Sequence, residues 1–182
     1  MAARLNGLPG VTEAYAAFDT VGLIIDEAFD SSVLTRNLKP KAQNLPKTHQ
    51  IPVLYDGEDL AELARLKGLA PVEIATLHAR EYECRAVGFC PGFAYLAPLP
   101  PELDIPRRDI PRTRVAPGSV AVAAGMTAVY PLERPGGWWL IGRTPLALVD
   151  EADGYFPIVA GDRIRFHPID ESEYASRMGE RL

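Results

Sequence analysis

The sequence predicts an α+β fold, with a small α/β domain over residues 1–80 followed by a β-rich domain over residues 81–182. Three observations carry this. Helical apolar spacing is confined to the part of the chain before residue 80. From Tyr82 onward, short strand candidates recur between proline- and glycine-rich turns, the pattern of a closed barrel or a sandwich. A chain of 182 residues, 47% apolar, is also long enough to bury a core in each half.

In the first half, Val21 to Ile25 is an apolar run suited to a buried strand and closed by Asp26 and Glu27. Asp30 or Ser31 is placed to cap a helix through Leu38, which Pro40 ends or kinks. Gln50 to Tyr55 reads as a second strand. Asp56 and Gly57 then turn into a helix with Leu60, Leu63, Ala64 and Lys67 on successive turns, closed by Gly68 in the left-handed C′ position. Pro71 opens the next helix at N1, and Ile74, Leu77 and His78 fall on one face of it, with His78 at the edge of that face.

In the second half the strand candidates are Tyr82 to Val87, Ser119 to Ala124, Thr127 to Leu132, Trp138 to Ile141, Ala147 to Val149 and Arg163 to Phe166. Pro135-Gly136-Gly137 reads as a hairpin turn between two of them. Arg163 to Phe166 alternates polar and apolar, so one face points inward. The charged segment after Asp170 reads as a frayed tail.

Composition excludes several functions. A net charge of −5 gives no basic field to hold nucleic acid or an anionic membrane. No apolar run approaches the roughly 20 residues that span a bilayer, and the N-terminus lacks the order of a secretory signal, so a cytoplasmic location is expected. Cys84 and Cys90 are too few for a disulfide framework and read as small buried hydrophobes. Three scattered histidines, His49, His78 and His167, make no metal site. No Walker A or GxGxxG sequence is present, so any ATP must bind by another route.

The stretch from Gly88 to Pro145 concentrates glycines, prolines, aromatics and arginines, as expected of a binding surface of loops on a β scaffold. Arg107, Arg108, Arg112 and Arg114 lie in one short span with only Asp109 against them. Guanidinium forks grip carboxylate or phosphate, so this is a candidate anion site; the alternative is a solvated charged loop. In GFCPGFAYL, Phe93 and Tyr95 share a face, as an aromatic wall or as core filling, and Tyr95 is the stronger site candidate because it carries a hydroxyl. The Gly118 amide and the Ser119 hydroxyl are candidate donors to an oxyanion or phosphate, and no nucleophile elbow surrounds Ser119. Arg143 and Thr144 are a similar pair at a strand end. Trp138 and Trp139 point to opposite faces, one toward core and the other toward a groove or interface. His78 is the candidate general base, with a helix-end or packing role as the alternative.

The segments GFCPGFAYL, PRRDIPRTRV, PGSV, YPLERPGGWWLIGRTPL and AGDRIRFHPI resemble the KipI family, also called allophanate hydrolase subunit 1 or the B-type (PxpB-like) subunit of 5-oxoprolinase. The likeness extends back through Ile51 to His78. It implies an α/β domain before a cyclophilin-like β-barrel, a KipA-type partner (the C-type subunit of 5-oxoprolinase, or allophanate hydrolase subunit 2), and a third subunit of LamB/YcsF type. It also implies ATP-dependent hydrolysis of 5-oxoproline to glutamate, with ATP bound in the complex with the partner. Arg107 and Arg112 stand in the Pro-Arg pairs that match the family's motif, and Thr127 closes its glycine–glutamine–threonine turn.

There are two departures from the family pattern. That turn reads Gly125-Met126-Thr127 here, which replaces an amide with a weak thioether acceptor. The family's additional N-terminal strand is not matched, so a sheet edge is expected to be missing or supplied by a neighbour. Relatives of this kind also include inhibitors of a sensor histidine kinase and halves of a biotin-dependent urea carboxyltransferase, which stand as the alternative functions.

Overall fold

The computed structural model describes residues 5–18, 20–32, 34 and 45–182. Its contacts divide the chain into two units, residues 1–46 and 47–182, earlier than the boundary expected at residue 81. The reason is that the strand and helices assigned by sequence to the first half are built into the second unit's sheet and core.

In the first unit, β1 (Val11–Ala17) and β2 (Thr20–Ile25) form an antiparallel hairpin. Asn6 pins β1, its side chain donating to Ala14 O at 3.1 Å and accepting from Ala14 N at 2.5 Å. β1 has no counterpart among the strands expected from sequence. β2 is the expected strand, though Ile24 and Ile25 are half exposed rather than buried. Of the helix expected from Asp30 or Ser31 to Leu38, residue 33 and everything from 35 on lie outside the described residues.

The second unit is a barrel. It runs through β3 (Thr48–Val53), α1 (Leu60–Lys67), α2 (Pro71–His78), β4 (Glu81–Val87), β5 (Ala94–Ala97) and β6 (Arg112–Val115). β7 (Ser119–Ala123), β8 (Met126–Val129), β9 (Arg134–Gly136), β10 (Trp139–Arg143), β11 (Arg163–Pro168) and α3 (Glu171–Ser176) complete it. Antiparallel pairing links β10 to β7, β8, β5, β4 and β11 in that order, and β11 pairs in parallel with β3 along six residues. Leu54 then exchanges two backbone hydrogen bonds of 2.9 Å with Arg143, which bridges the remaining gap back to β10. β3 is therefore a stave of the barrel.

Alternation along the strands sorts side chains into two cores. Val120, Val122, Trp139 and Ile141 join Ile51, Tyr82, Ile164 and Phe166, together with Leu63 of α1 and Ile74 of α2. Their neighbours Ala121, Ala123, Trp138 and Leu140 face the other way, against Cys90, Phe93, Val115 and Tyr130. The two tryptophans do take opposite faces, and both are buried.

Three expected elements are corrected. Pro135-Gly136-Gly137 does not close a hairpin between β8 and β10, because β7 lies between those strands. Instead β9 pairs with β6 in a separate two-stranded ribbon, where Pro135 sits on a free edge that needs no donor. Ala147 to Val149 is not a strand: Ala147 makes a single bridge, to Arg181. The segment after Asp170 does not fray, since Asp170 caps α3 by accepting from Glu173 N at 2.8 Å, and Arg181 binds Asp150 and Asp153. No described helix is long and apolar enough to cross a membrane.

Candidate functional site

The Gly88–Phe93 turn reverses the chain before β5 through hydrogen bonds from Gly88 N to Phe93 O and from Phe93 N to Cys90 O. It leaves Phe89 at φ 69° and 59% exposed, while Phe93 is buried. Phe93 is the hub of an aromatic cluster, with ring centroids 5.0 Å from Tyr95, 5.2 Å from Tyr130 and 5.8 Å from Trp138, all edge-on. Over this cluster opens a hollow of about 240 Å³, whose walls include Phe89, Tyr95, Tyr130, Trp138, Gly136 and Arg107. Gly136 is required there: a Cβ at that position would lie 2.1 Å from Tyr130 Oη. Burial raises the phenol pKa of both Tyr95 and Tyr130, and Arg107 opposes that rise in each. The hydroxyls therefore stay protonated and can donate.

Among the arginines of the 107–114 run, the structure separates one from the rest. Arg108 Nη1 and Arg112 Nη2 both bind Asp59 Oδ1, at 2.8 and 2.6 Å, with Asp59 3% exposed. Arg114 pairs with Glu133 at 2.8 Å, its side chain 75% exposed. Arg107 has no carboxylate partner among the described residues, and it lines the hollow. Of the four arginines of this run read as a candidate anion site, Arg108, Arg112 and Arg114 are thus paired with carboxylates. The charge run is mostly ion pairing, with one guanidinium left over.

The other candidates do not converge on this hollow. Gly118, at φ 83°, spends its amide on Tyr130 O at 2.7 Å and its carbonyl on Thr144 N, so it is a turn and not an oxyanion donor. Ser119 is bound through its backbone to Ala116 and Tyr130. Thr144 is 3% exposed, and its hydroxyl faces Leu146 N at 3.4 Å. Arg143 forks onto Asp56 and lies 4.3 Å over the Tyr174 ring.

His78 is fully buried, and both of its nitrogens are used. Thr127 Oγ1 gives its one proton to Ala121 O at 3.0 Å, so it must accept from His78 Nε2 at 2.8 Å. That fixes the tautomer, and Nδ1 accepts from Tyr55 Oη at 2.8 Å. Burial holds the His78 pKa down at about 3 and raises that of Tyr55. A base must have a lone pair within reach of substrate. His78 has none to spare in this structure, where it and Thr127 satisfy polar groups inside the barrel.

Sequence reading missed Tyr130 and Asp59. Tyr130 opens the YPLERPGGWWLIGRTPL segment, which marks the region without singling out that side chain, and Asp59 is one of several acidic residues ahead of α1 with no motif of its own. A larger hollow of about 410 Å³ lies on the helices beside Leu69, Val72 and Leu77, but the charged groups lining it are Glu73 and Glu102, which disfavours an anion there.

A barrel carrying a two-stranded ribbon and an aromatic hollow with one uncommitted arginine has known relatives. Residues 1–156 match the family described as carboxyltransferase domain, subdomain C and D, and the chain belongs to it. Within that family it is similar to the B-type subunit of 5-oxoprolinase from Escherichia coli O157:H7, 38% identical over 180 residues, 92% of this chain and 83% of that one. The corresponding 5-oxoprolinase subunit from Bacillus subtilis (strain 168) is 41% identical over 130 residues, 69% of this chain and 54% of that one.

Among solved structures, TTHA0988 superposes with a TM-score of 0.83 at 38% identity, over 93% of this chain and 36% of that one. The chain therefore spans little more than a third of that relative. The conserved uncharacterized protein PH0987 from Pyrococcus horikoshii gives a TM-score of 0.65 at 31% identity, over 95% of this chain and 85% of that one. The K. lactis urea amidolyase, at 17% identity and a TM-score of 0.73, shares the fold.

Proposed function

We propose that the chain is the B-type component of an ATP-dependent 5-oxoprolinase, which opens 5-oxoproline to glutamate together with a KipA-type partner and a LamB/YcsF-type third component. The observation that carries this reading is Arg107, a guanidinium without a carboxylate partner among the described residues, set in an aromatic hollow with two protonated tyrosines. A small cyclic amide bearing one carboxylate suits such a site. Its carboxylate meets the Arg107 fork, its flat ring lies against Trp138 and Phe93, and its amide oxygen accepts from a tyrosine hydroxyl.

The hollow does not suit ATP. A nucleoside triphosphate is larger than about 240 Å³ accommodates and carries several negative charges, against one uncommitted guanidinium. In this reading the nucleotide is held with the partner, and this chain binds and orients the substrate.

The test mixes the purified chain with its KipA-type and LamB/YcsF-type partners and follows oxoproline-dependent ADP release. Release by the complete complex is expected, with KM raised about tenfold or more in Arg107→Ala, the loss of a charge-assisted contact. No release from the complete complex, or an unchanged KM in that variant, overturns the reading.

A further inference from the structure

Asp59 has the identity and position of a helix cap, yet its side chain makes no capping bond to α1. It is turned instead toward the loop that carries the arginines. Oδ1 receives Arg108 and Arg112, while Oδ2 accepts from Leu140 N at 2.7 Å and Asp59 N donates to Leu140 O at 3.0 Å. One buried carboxylate thus joins the start of α1, strand β10 and both ends of the segment 108–112.

The same loop is held on its other side. Trp139 Nε1 donates to Pro106 O at 2.9 Å, Arg108 N donates to Gly137 O at 2.8 Å, and the Arg108 guanidinium lies 5.0 Å over the Trp139 ring. These anchors fall at residues 106, 108 and 112. Arg107 stands between them, its backbone held and its own side chain exposed at the hollow.

The arrangement is poor as a stabilising device. Two guanidinium groups share one carboxylate oxygen, with only the exposed Glu62 (3.5 Å from Arg108) and Glu58 (3.3 Å from Arg112) beside them, while Arg108 Nε and Arg112 Nη1 are left buried without an acceptor, and a buried donor left unpaired is costly. What the arrangement does achieve is to tie down the chain on both sides of Arg107.

We infer that Asp59 is a positioning residue for anion recognition, acting through Arg108 and Arg112 to hold Arg107 at the mouth of the aromatic hollow. The inference rests on the reading of the hollow as the 5-oxoproline site for its ligand, but not for its mechanics. Binding of a small anion by one side chain is sensitive to displacements of an ångström, so releasing the loop weakens the grip without removing any group that touches the ligand.

The experiment has two arms on the full chain. Amide ¹⁵N relaxation and hydrogen exchange at residues 107–110 and 112 report the loop with no ligand present: Asp59→Asn is expected to mobilise Arg107 while the barrel strands keep their protection. Titration with 5-oxoproline is expected to show affinity about tenfold weaker in Asp59→Asn, and no weaker in the Asp59→Asn/Arg107→Ala double variant than in Arg107→Ala alone. A merely structural role makes the two losses add.

Arg112→Gln, at a more exposed position, is expected to show the same loop mobility with a smaller loss, and decides the matter if Asp59→Asn fails to fold. If the unmodified chain does not bind 5-oxoproline, the ligand reading fails and the relaxation arm still judges the positioning. An Arg107 amide as ordered in the variants as in the parent, or additive losses, overturns the inference.

Discussion

Replacing His78 with glutamine separates a catalytic from a packing role. The imidazole is sealed inside the barrel, donating to Thr127 and accepting from Tyr55. Its pKa is held by burial at about 3 against 6.5 in an open chain. Because the folded value is the lower one, the unfolded chain takes up a proton as pH falls through 6.5 while the folded chain refuses it until about 3. Stability attached to neutral His78 is therefore fully present above 6.5 and is lost as pH falls, at about 1.4 kcal/mol per pH unit.

At about pH 5 this one group costs the fold about 2 kcal/mol, a large part of the margin of a small domain. Glutamine offers a donor end to Thr127 and an acceptor end to Tyr55 without titrating. Urea unfolding followed by tryptophan fluorescence at about pH 7 and about pH 5 measures the difference. The parent is expected to lose about 2 kcal/mol more than His78→Gln between these conditions. Equal losses refute the buried-neutral account, and a well-folded His78→Gln complex with no turnover restores the histidine to catalysis.

Other outcomes follow from the same contacts. Tyr55→Phe leaves His78 Nδ1 buried without a donor, so unfolding in urea is expected to show a loss of about 1–3 kcal/mol. Gly136→Ala places a methyl 2.1 Å from Tyr130 Oη, so crystallography is expected to show Tyr130 displaced, with 5-oxoproline affinity reduced in titration. Arg114→Ala removes an exposed pair with Glu133 outside the hollow, and both melting temperature and KM are expected to stay at the parent's values. Met126→Gln restores the family's residue at a position packed against the aromatic cluster but outside the hollow's walls, so turnover of the complex is expected to change little.

Much of the fold was legible because strand and helix periods are local properties of a sequence. The spacing of Leu60, Leu63 and Ala64 ahead of Gly68 marked α1, and Gly68 does close it at φ 66°. The alternation in Arg163 to Phe166 marked β11. Short, weakly patterned strands escaped: β6 and β9 exist as strands because each is the other's partner, a long-range fact that no local window contains. The candidate site was legible as a region. GFCPGFAYL and the arginine run supply Phe89, Tyr95 and Arg107, but identical chemistry along the run hid which arginine is uncommitted.

By itself the sequence determined an α+β chain with a barrel-forming second half and the family to which its motifs point, and it marked the glycine- and arginine-rich loops as a candidate site. Only tertiary structure decided that β3 belongs to the barrel, because a parallel partner 115 residues away claims it. Only tertiary structure showed that His78 is sealed in the barrel, that Arg112 and Arg114 are paired with carboxylates, and that Tyr130 lines the aromatic hollow. Burial and pairing decide whether a titratable or charged group can act on a ligand, and both are set by residues far apart in the chain that folding brings within a few ångströms.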